Sequence, residues 1–288
     1  MEREKLLEFR HVSKSFPGVK ALEDINVDLY PGEVHILVGE NGAGKSTLMK
    51  VLSGAYTATS GELIFEGKRI EKNSPHISEA LGISMIYQEL NLVPELSIAS
   101  NIFLGHELKK GCFVDTRAQE KRAAELLNEI GIRVDPRTLV KNLGVGTQQM
   151  VEIAKALSKK AKVIVFDEPT SSLTEQEVEH LFRIINMLRD RGCGIVYISH
   201  KMEEILRISD EVTIMRDGQW IATRPAKELT MNEIIRLMVG RELTNRFPPK
   251  TNKPGEVYMR VEGFSSIHDR SFQDVSFELR RGEILGLG

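Results

Sequence analysis

At 288 residues the chain has room for one large domain or two small ones. Hydrophobic residues make up 41% and charged residues 28%, the balance of a chain that buries an ordinary core and stays soluble. A formal net charge of −2 gives no electrostatic reason to expect a nucleic-acid partner.

The two cysteines, Cys112 and Cys193, have neither metal-ligand nor redox spacing. A disulfide framework is therefore not expected, and a reducing compartment fits. The amino terminus, MEREKLLEFR, is charged and lacks the apolar stretch of a signal peptide. No window approaches the ~20 apolar residues of a spanning helix. Work at a membrane would go through a partner.

Leu7 to Val12 and Ile25 to Leu29 read as strands, with a turn at Pro31-Gly32. Val34 to Val38 is a continuous apolar run, as expected of a strand buried on both faces. Lys45 to Leu52 reads as a helix, and residues 61–70 as a hairpin turning at Glu66-Gly67. From about 90 to 160 the pattern becomes helical, in EKRAAELLNEIGI and QQMVEIAKALSKK. Val163 to Phe166 and Gly194 to Ile198 are again buried strands, with an amphipathic helix over Glu175 to Arg189 between them. Strand, helix and apolar strand in alternation indicate a parallel α/β sheet.

Residues 246–256 hold three prolines and little apolar content, and read as a linker. Beyond it the sequence repeats itself. Leu22-Glu23-Asp24-Ile25 returns 250 residues later as Phe272-Gln273-Asp274-Val275, and Pro31-Gly32-Glu33-Val34 as Arg281-Gly282-Glu283-Ile284. The expected organisation is a domain over 1–245, a linker, and the truncated start of a second copy over 257–288. On that register the chain stops just before the repeat's counterpart of Gly39, so it is expected to be a fragment of a longer polypeptide.

Gly39-Glu40-Asn41-Gly42-Ala43-Gly44-Lys45-Ser46 matches G-x-x-x-x-G-K-S between a strand and a helix. Glycines let the backbone turn its N–H groups around phosphate oxygens, and the helix start adds a positive dipole end. Lys45 places a cation against the β- and γ-phosphates, and the Ser46 hydroxyl is positioned for Mg²⁺. Asp167-Glu168 ends a buried strand, where an open α/β sheet presents its ligand crevice. Asp167 would hold Mg²⁺ through water, and Glu168 would polarise the attacking water. Ser199-His200 ends the next buried strand, where His200 could donate to the γ-phosphate.

Taken together these segments resemble the ATP-binding cassette family over essentially residues 6–245, in that family's motif order. The resemblance implies an α/β P-loop NTPase fold with a mostly parallel core sheet, an N-terminal antiparallel β subdomain and a helical insert. It assigns Phe16 to stacking on adenine and Gly39 to Thr47 to the triphosphate of ATP. Gln88 would contact Mg²⁺ and sense a membrane partner. Leu143-Gly144-Val145-Gly146-Thr147-Gln148 sits where the family signature belongs. QQMVEIAKALS, GIVYISHKMEE, NIFLGHE and VTIMRDGQ resemble monosaccharide importers of the ribose, galactose and xylose group, with ribose closest. Those ATPases carry two fused cassettes. The implied setting is the cytoplasmic face of the inner membrane, with permease subunits docking near 88–105. A sugar-binding protein outside would act through the permease. Another cargo, such as a nucleoside or a furanone signal, is the alternative. A nucleic-acid-handling cassette is disfavoured by the lack of Cys pairs, long heptads and basic excess. A soluble phosphotransferase would have no use for the 143–149 signature.

Two positions depart from the family pattern. Gly144 replaces the usual signature serine and forgoes a hydrogen bond to a charged group, worth roughly 1.5–3 kcal/mol. Thr174 replaces the usual aspartate of the following turn. Both are expected to weaken the composite site to which this cassette lends its signature. In the importers resembled, the second phosphate loop typically carries arginine, so a degraded signature would face a degraded loop.

Overall fold

The computed structural model describes residues 3–240, 252–267 and 271–287, in two compact units, Met1–Glu242 and Leu243–Gly288. In the first unit the strands are β1 (Leu7–Phe16), β2 (Val19–Leu29) and β3 (Val34–Val38), then helix α1 (Lys45–Leu52), β4 (Ser60–Phe65) and β5 (Lys68–Arg69). Helix α2 (Pro75–Ala80), β6 (Ile83–Ile86), α3 (Ile98–Ile102), a short hairpin of β7 (Lys109–Lys110) and β8 (Phe113–Val114), α4 (Thr116–Glu129) and α5 (Val145–Ser158) follow. The unit ends with β9 (Val163–Asp167), α6 (Glu175–Asp190), β10 (Gly194–Ile198), α7 (Met202–Ile208), β11 (Glu211–Arg216), β12 (Gln219–Pro225) and α8 (Met231–Val239). The second unit contains the antiparallel pair β13 (Val257–Phe264) and β14 (Val275–Arg280).

One ten-stranded sheet runs β5-β4-β1-β2-β12-β11-β3-β10-β9-β6. Strands β11, β3, β10, β9 and β6 pair in parallel, whereas β5, β4, β1 and β2 are antiparallel. This is the expected parallel core with an N-terminal antiparallel subdomain. Successive side chains point to opposite faces and both faces are covered, so the core strands are mostly apolar. β3 departs from the continuous run expected of it at His35, which is buried with its ring nitrogens at hydrogen-bond distance from Glu33 and Thr213. Val34, Ile36, Val38, Ile164, Phe166, Ile195 and Tyr197 point into one cluster, shared with the helices on that face. Leu37, Val163, Val165, Val196 and Ile198 point into another, shared with α1 and the antiparallel strands. In the insert, Ile98, Ile102, Ala123, Leu126, Met150 and Ile153 pack α3, α4 and α5 together.

Helix α6 begins at Thr174 through a capping box with Glu177, and buries Leu181, Phe182, Ile184, Ile185 and Leu188. Each such side chain contributes about 1.5–3 kcal/mol. In the second unit Asp274 and Gly282 have φ of 52° and 72°, against 53° and 67° for Asp24 and Gly32 in the first. The repeated segments thus share left-handed backbone positions. Tyr258, Phe264, Ile284 and Leu287 are exposed. The linker expected over 246–256 lies outside the described residues up to 251. Among the described residues, no helix is long and apolar enough to cross a membrane.

Cys112 is exposed, while Cys193 is buried just before β10, where desolvation pushes its thiol up to about 12. Since the thiolate is the nucleophile, iodoacetamide at about pH 8 is expected to modify Cys112 alone in the folded chain and both thiols after denaturation. Mass spectrometry of the two samples reads this directly; rapid labelling of Cys193 in the native chain would contradict the packing.

Candidate functional site

The site is assembled at the carboxyl ends of four parallel strands. Register pairs Ile86 with Phe166, Ile198 with Asp167, and Ile198 with Leu37. Gly39, Gln88, Asp167-Glu168 and His200 therefore leave β3, β6, β9 and β10 at one edge. This is where an open α/β sheet can place polar groups without burying them in its core.

The loop from Gly39 to Gly44 is held by close approach. A Cβ on Gly39 would collide with the carbonyl oxygen of Met215 and meet Ala43 Cβ at 2.8 Å. Gly44, with φ of 96°, precedes α1, and a Cβ there would meet Ala21 O at 2.7 Å and Leu22 Cδ2 at 2.8 Å. Asn41 and Gly42 form the exposed tip, and Gly42 is also left-handed at 87°. The Ala43 amide donates to Glu40 O at 3.1 Å. Lys45 Nζ donates to Gly39 O at 2.8 Å and Glu40 O at 3.0 Å, so the buried ammonium is coiled under its own loop. Ser46 is exposed and Thr47 half-buried at the first turn of α1.

Electrostatically the site is under tension. Burial pulls the Lys45 ammonium below its ordinary value, and the charges of Glu168 and Asp167 pull it back. Burial, then the charge of Glu168, pushes the Asp167 carboxyl above its usual range. Glu168 has φ of 48°, a left-handed position that costs a non-glycine residue about 1–3 kcal/mol. Its amide donates to Ile198 O at 3.0 Å, which fixes it to β10. Its carboxylate lies 3.2 Å from His200 Nδ1, with the imidazole mostly exposed. Ser46, Gln88 and Asp167 bring a hydroxyl, an amide oxygen and a carboxylate to this edge, hard oxygen donors of the kind that suits Mg²⁺.

Phe16 ends β1 and is partly exposed. Tyr56, which the motif pattern does not single out, packs edge-on against it at 5.3 Å and 76°, and Lys14 Nζ lies 5.0 Å from its centroid. Leu143 to Gln148 sits instead in the helical layer. Gly144 is the N-cap residue of α5 at φ −65°, ψ 156°, and makes no side-chain cap bond. Nothing lies within 4 Å of a Cβ placed there, so serine would fit. Gln148 Nε2 donates to Leu143 O at 2.9 Å and ties the segment back on itself. A Cβ on Gly146 would collide with the Glu177 carboxylate, which accepts at 2.9 Å from both the Thr174 amide and the Thr174 hydroxyl. Thr174 thus has a local task where the family pattern has aspartate: it caps α6.

Beside Gln88 a pocket of about 220 Å³ is lined by Ser84, Tyr87, Asn91, Glu152 and Lys155, among others. Glu152 is buried, and burial pushes its carboxyl above the usual range. Its Oε1 lies 4.0 Å from Lys155 Nζ, beyond hydrogen-bond reach. Sequence pattern gives no warning of this residue, because a glutamate on an amphipathic helix ordinarily reads as solvated.

The tension at Asp167 has a measurable consequence. A carboxyl whose folded-state value is raised penalises the folded state at pH above that value, and the penalty disappears below the unfolded value. Asp167→Asn is expected to raise the melting temperature of the nucleotide-free chain near neutral pH. The gain should shrink as the pH falls toward the ordinary aspartate range. Calorimetric scans at several pH values check it; destabilisation at neutral pH would contradict it.

A family model for the ABC transporter matches residues 22–171, just over half of the chain. The chain is 54% identical over 284 residues to the galactose/methyl galactoside import ATP-binding protein MglA of Escherichia coli K12, and 53% to that of Salmonella typhimurium LT2. Those alignments cover 99% of this chain and 56% of each relative, so the chain spans about half the length of the curated relatives it matches. Among solved structures, MJ1267, an ATP-binding cassette of an ABC transporter in its ADP conformation, superposes with a TM-score of 0.69 at 26% identity, over 82% of this chain and 95% of that one. The dimeric cassette MJ0796 superposes with a TM-score of 0.66 over 76% and 98%; at 23% identity that likeness concerns the fold alone. Phosphate loop, sheet order and family match agree: the chain belongs to the ABC transporter family, as an ATP-binding cassette.

Proposed function

We propose that this chain is the ATP-hydrolysing motor of a monosaccharide importer, acting at the cytoplasmic face of the membrane through permease subunits. The observation that carries this reading is the convergence of loop 39–47, Gln88, Asp167-Glu168 and His200 at one sheet edge, with His200 Nδ1 3.2 Å from Glu168 Oε1. Phe16, with Tyr56 behind it, offers a ring to adenine. The N–H groups of loop 39–47 and the Lys45 ammonium grip the triphosphate, Lys45 exchanging its two loop carbonyls for phosphate oxygens. Ser46, Gln88 and Asp167 would hold Mg²⁺, which would supply positive charge to the triphosphate. Glu168 orients water for in-line attack, and His200 donates to the γ-phosphate.

Two cassettes closing on ATP would turn binding into motion, a ligand-driven population shift. Segment 88–105, with the Glu152 pocket beside it, is where the permease would sense that closure. The names of the relatives above give galactose and methyl galactoside as cargo, whereas the sequence resemblance favours ribose. The cargo class proposed here is therefore a monosaccharide, delivered by an external binding protein.

We infer further that residues 257–288 begin a second cassette of the same polypeptide, in keeping with the relatives' greater length and the repeated backbone of Asp274 and Gly282. The complete catalytic site would pair Lys45, Asp167, Glu168 and His200 with the signature of that second half. Gly144, lacking the signature hydroxyl, would face the weaker one.

Steady-state Mg-ATP hydrolysis across a range of protein concentrations tests the reading, with Glu168→Gln as control. The expected result is ATP binding with slow turnover that barely depends on concentration and vanishes in the control. Brisk turnover rising with the square of concentration would mean that Gly144 is a competent signature residue and that the asymmetric account is wrong.

A further inference from the structure

Behind the Glu168–His200 pair lies a buried polar network that the proposed reaction does not use. Its centre is Glu204 on α7, only 6% exposed. Oε1 of Glu204 accepts from the Thr170 hydroxyl at 2.6 Å. Oε2 accepts from the Tyr197 hydroxyl at 2.8 Å and the Ser199 hydroxyl at 2.9 Å. Thr170, Tyr197 and Ser199 are themselves buried. Lys201 adds an ammonium 3.4 Å from Oε1 and donates to Thr170 O at 2.9 Å. Burial, then the charge of Glu204, pushes the Tyr197 hydroxyl up and keeps it a donor. Three hydroxyl donors and an ammonium around one side chain are the complement of an acceptor-only carboxylate.

The sequence positions of those donors are what matter. Thr170 is two residues beyond Glu168, in the bend that leaves β9. Ser199 immediately precedes His200, and its Oγ also accepts from the Lys201 amide at 3.0 Å, on the far side of His200. The two segments that carry the reacting groups are thus fastened to opposite oxygens of one carboxylate. Glu168 itself stands in a left-handed conformation that survives only where neighbouring structure over-determines it.

We propose that Glu204 is a positioning residue, one that sets the spacing between Glu168 and His200 by clamping Thr170 and Ser199. This rests on the reading of Glu168 and His200 as the hydrolytic pair. Replacing Glu204 by Gln puts an amide donor where a hydroxyl already donates, which removes the carboxylate clamp and leaves the Lys201–Thr170 carbonyl and Glu168 amide–Ile198 carbonyl bonds to hold the segments more loosely. Thr170→Val removes the Thr170 hydroxyl from Oε1, where the Lys201 ammonium remains, and Thr170→Ser restores it.

The test uses amide hydrogen exchange read at single residues, with Mg-ATP binding and turnover measured on the same samples. Glu204→Gln and Thr170→Val should speed exchange of the Glu168 and Lys201 amides by at least about tenfold, with β3 and the helical insert unchanged. ATP affinity should stay within about threefold, and turnover should fall by at least about tenfold, since a misplaced water-orienting group acts on kcat rather than on binding. Thr170→Ser should return both to wild-type values. Should Glu204→Gln loosen the whole chain, the Thr170 pair decides alone. The proposal is overturned if exchange at Glu168 and Lys201 is unchanged in both variants, or if Ser does not rescue where Val fails. Turnover that survives Glu168→Gln is a different outcome: it removes the hydrolytic reading, and with it the role proposed for Glu204.

Discussion

A strand buried on both faces has nowhere to put chemistry except at its ends. That constraint governs this molecule. β3, β9 and β10 are apolar nearly throughout, His35 in β3 apart, because helices cover one face and the antiparallel strands with α1 cover the other. Their polar residues therefore accumulate where they emerge, as Gly39 onward, Asp167-Glu168 and Ser199-His200. Parallel pairing makes all three emerge at the same edge. The site is a by-product of how the core is built, and its geometry inherits the rigidity of the sheet.

What emerges there is electrostatically uncomfortable. An ammonium is buried beneath its own loop, and two adjacent carboxylates are pushed together at the end of β9, one of them on left-handed backbone. Each feature costs folding free energy, and each suits a polyanion and a divalent cation. Stability given up locally in exchange for preorganisation is a common arrangement at reactive sites. The buried Glu204 network is the counterweight, because it fastens the strained bend to the neighbouring strand through satisfied hydrogen bonds rather than through apolar contact.

Much of this is legible in the sequence, for identifiable reasons. Lys45 to Leu52 and Gly194 to Ile198 have the bounds their residue pattern implies, since loop glycines and continuous apolar runs leave little choice. β1 and β2 run further than the pattern implies, to Phe16 and back to Val19, because polar residues on the outer face of a hairpin interrupt the apolar signal without breaking the pairing. The capping box of Thr174 with Glu177, found only in the structure, gives Thr174 a local role that family comparison alone casts as a loss. Tyr56, Glu152 and Glu204 were not readable. Their importance comes from burial and from partners far away in the sequence, and a charged or aromatic residue carries no local mark of either. The signature segment was legible as a motif, but the open space around Gly144 and the carboxylate over Gly146 appear only in three dimensions.

The most direct test of the central claim, that loop 39–47 and Lys45 form the grip on a nucleotide triphosphate, is calorimetric titration of Mg-ATP into the wild-type chain and into Lys45→Ala. The account predicts saturable binding to the wild type. It predicts at least about tenfold weaker binding to the variant, the loss of a hydrogen-bonded charge, with the melting temperature little changed or higher. Equal affinity for the two chains would contradict it, and would mean that the buried ammonium serves only to hold its own loop together.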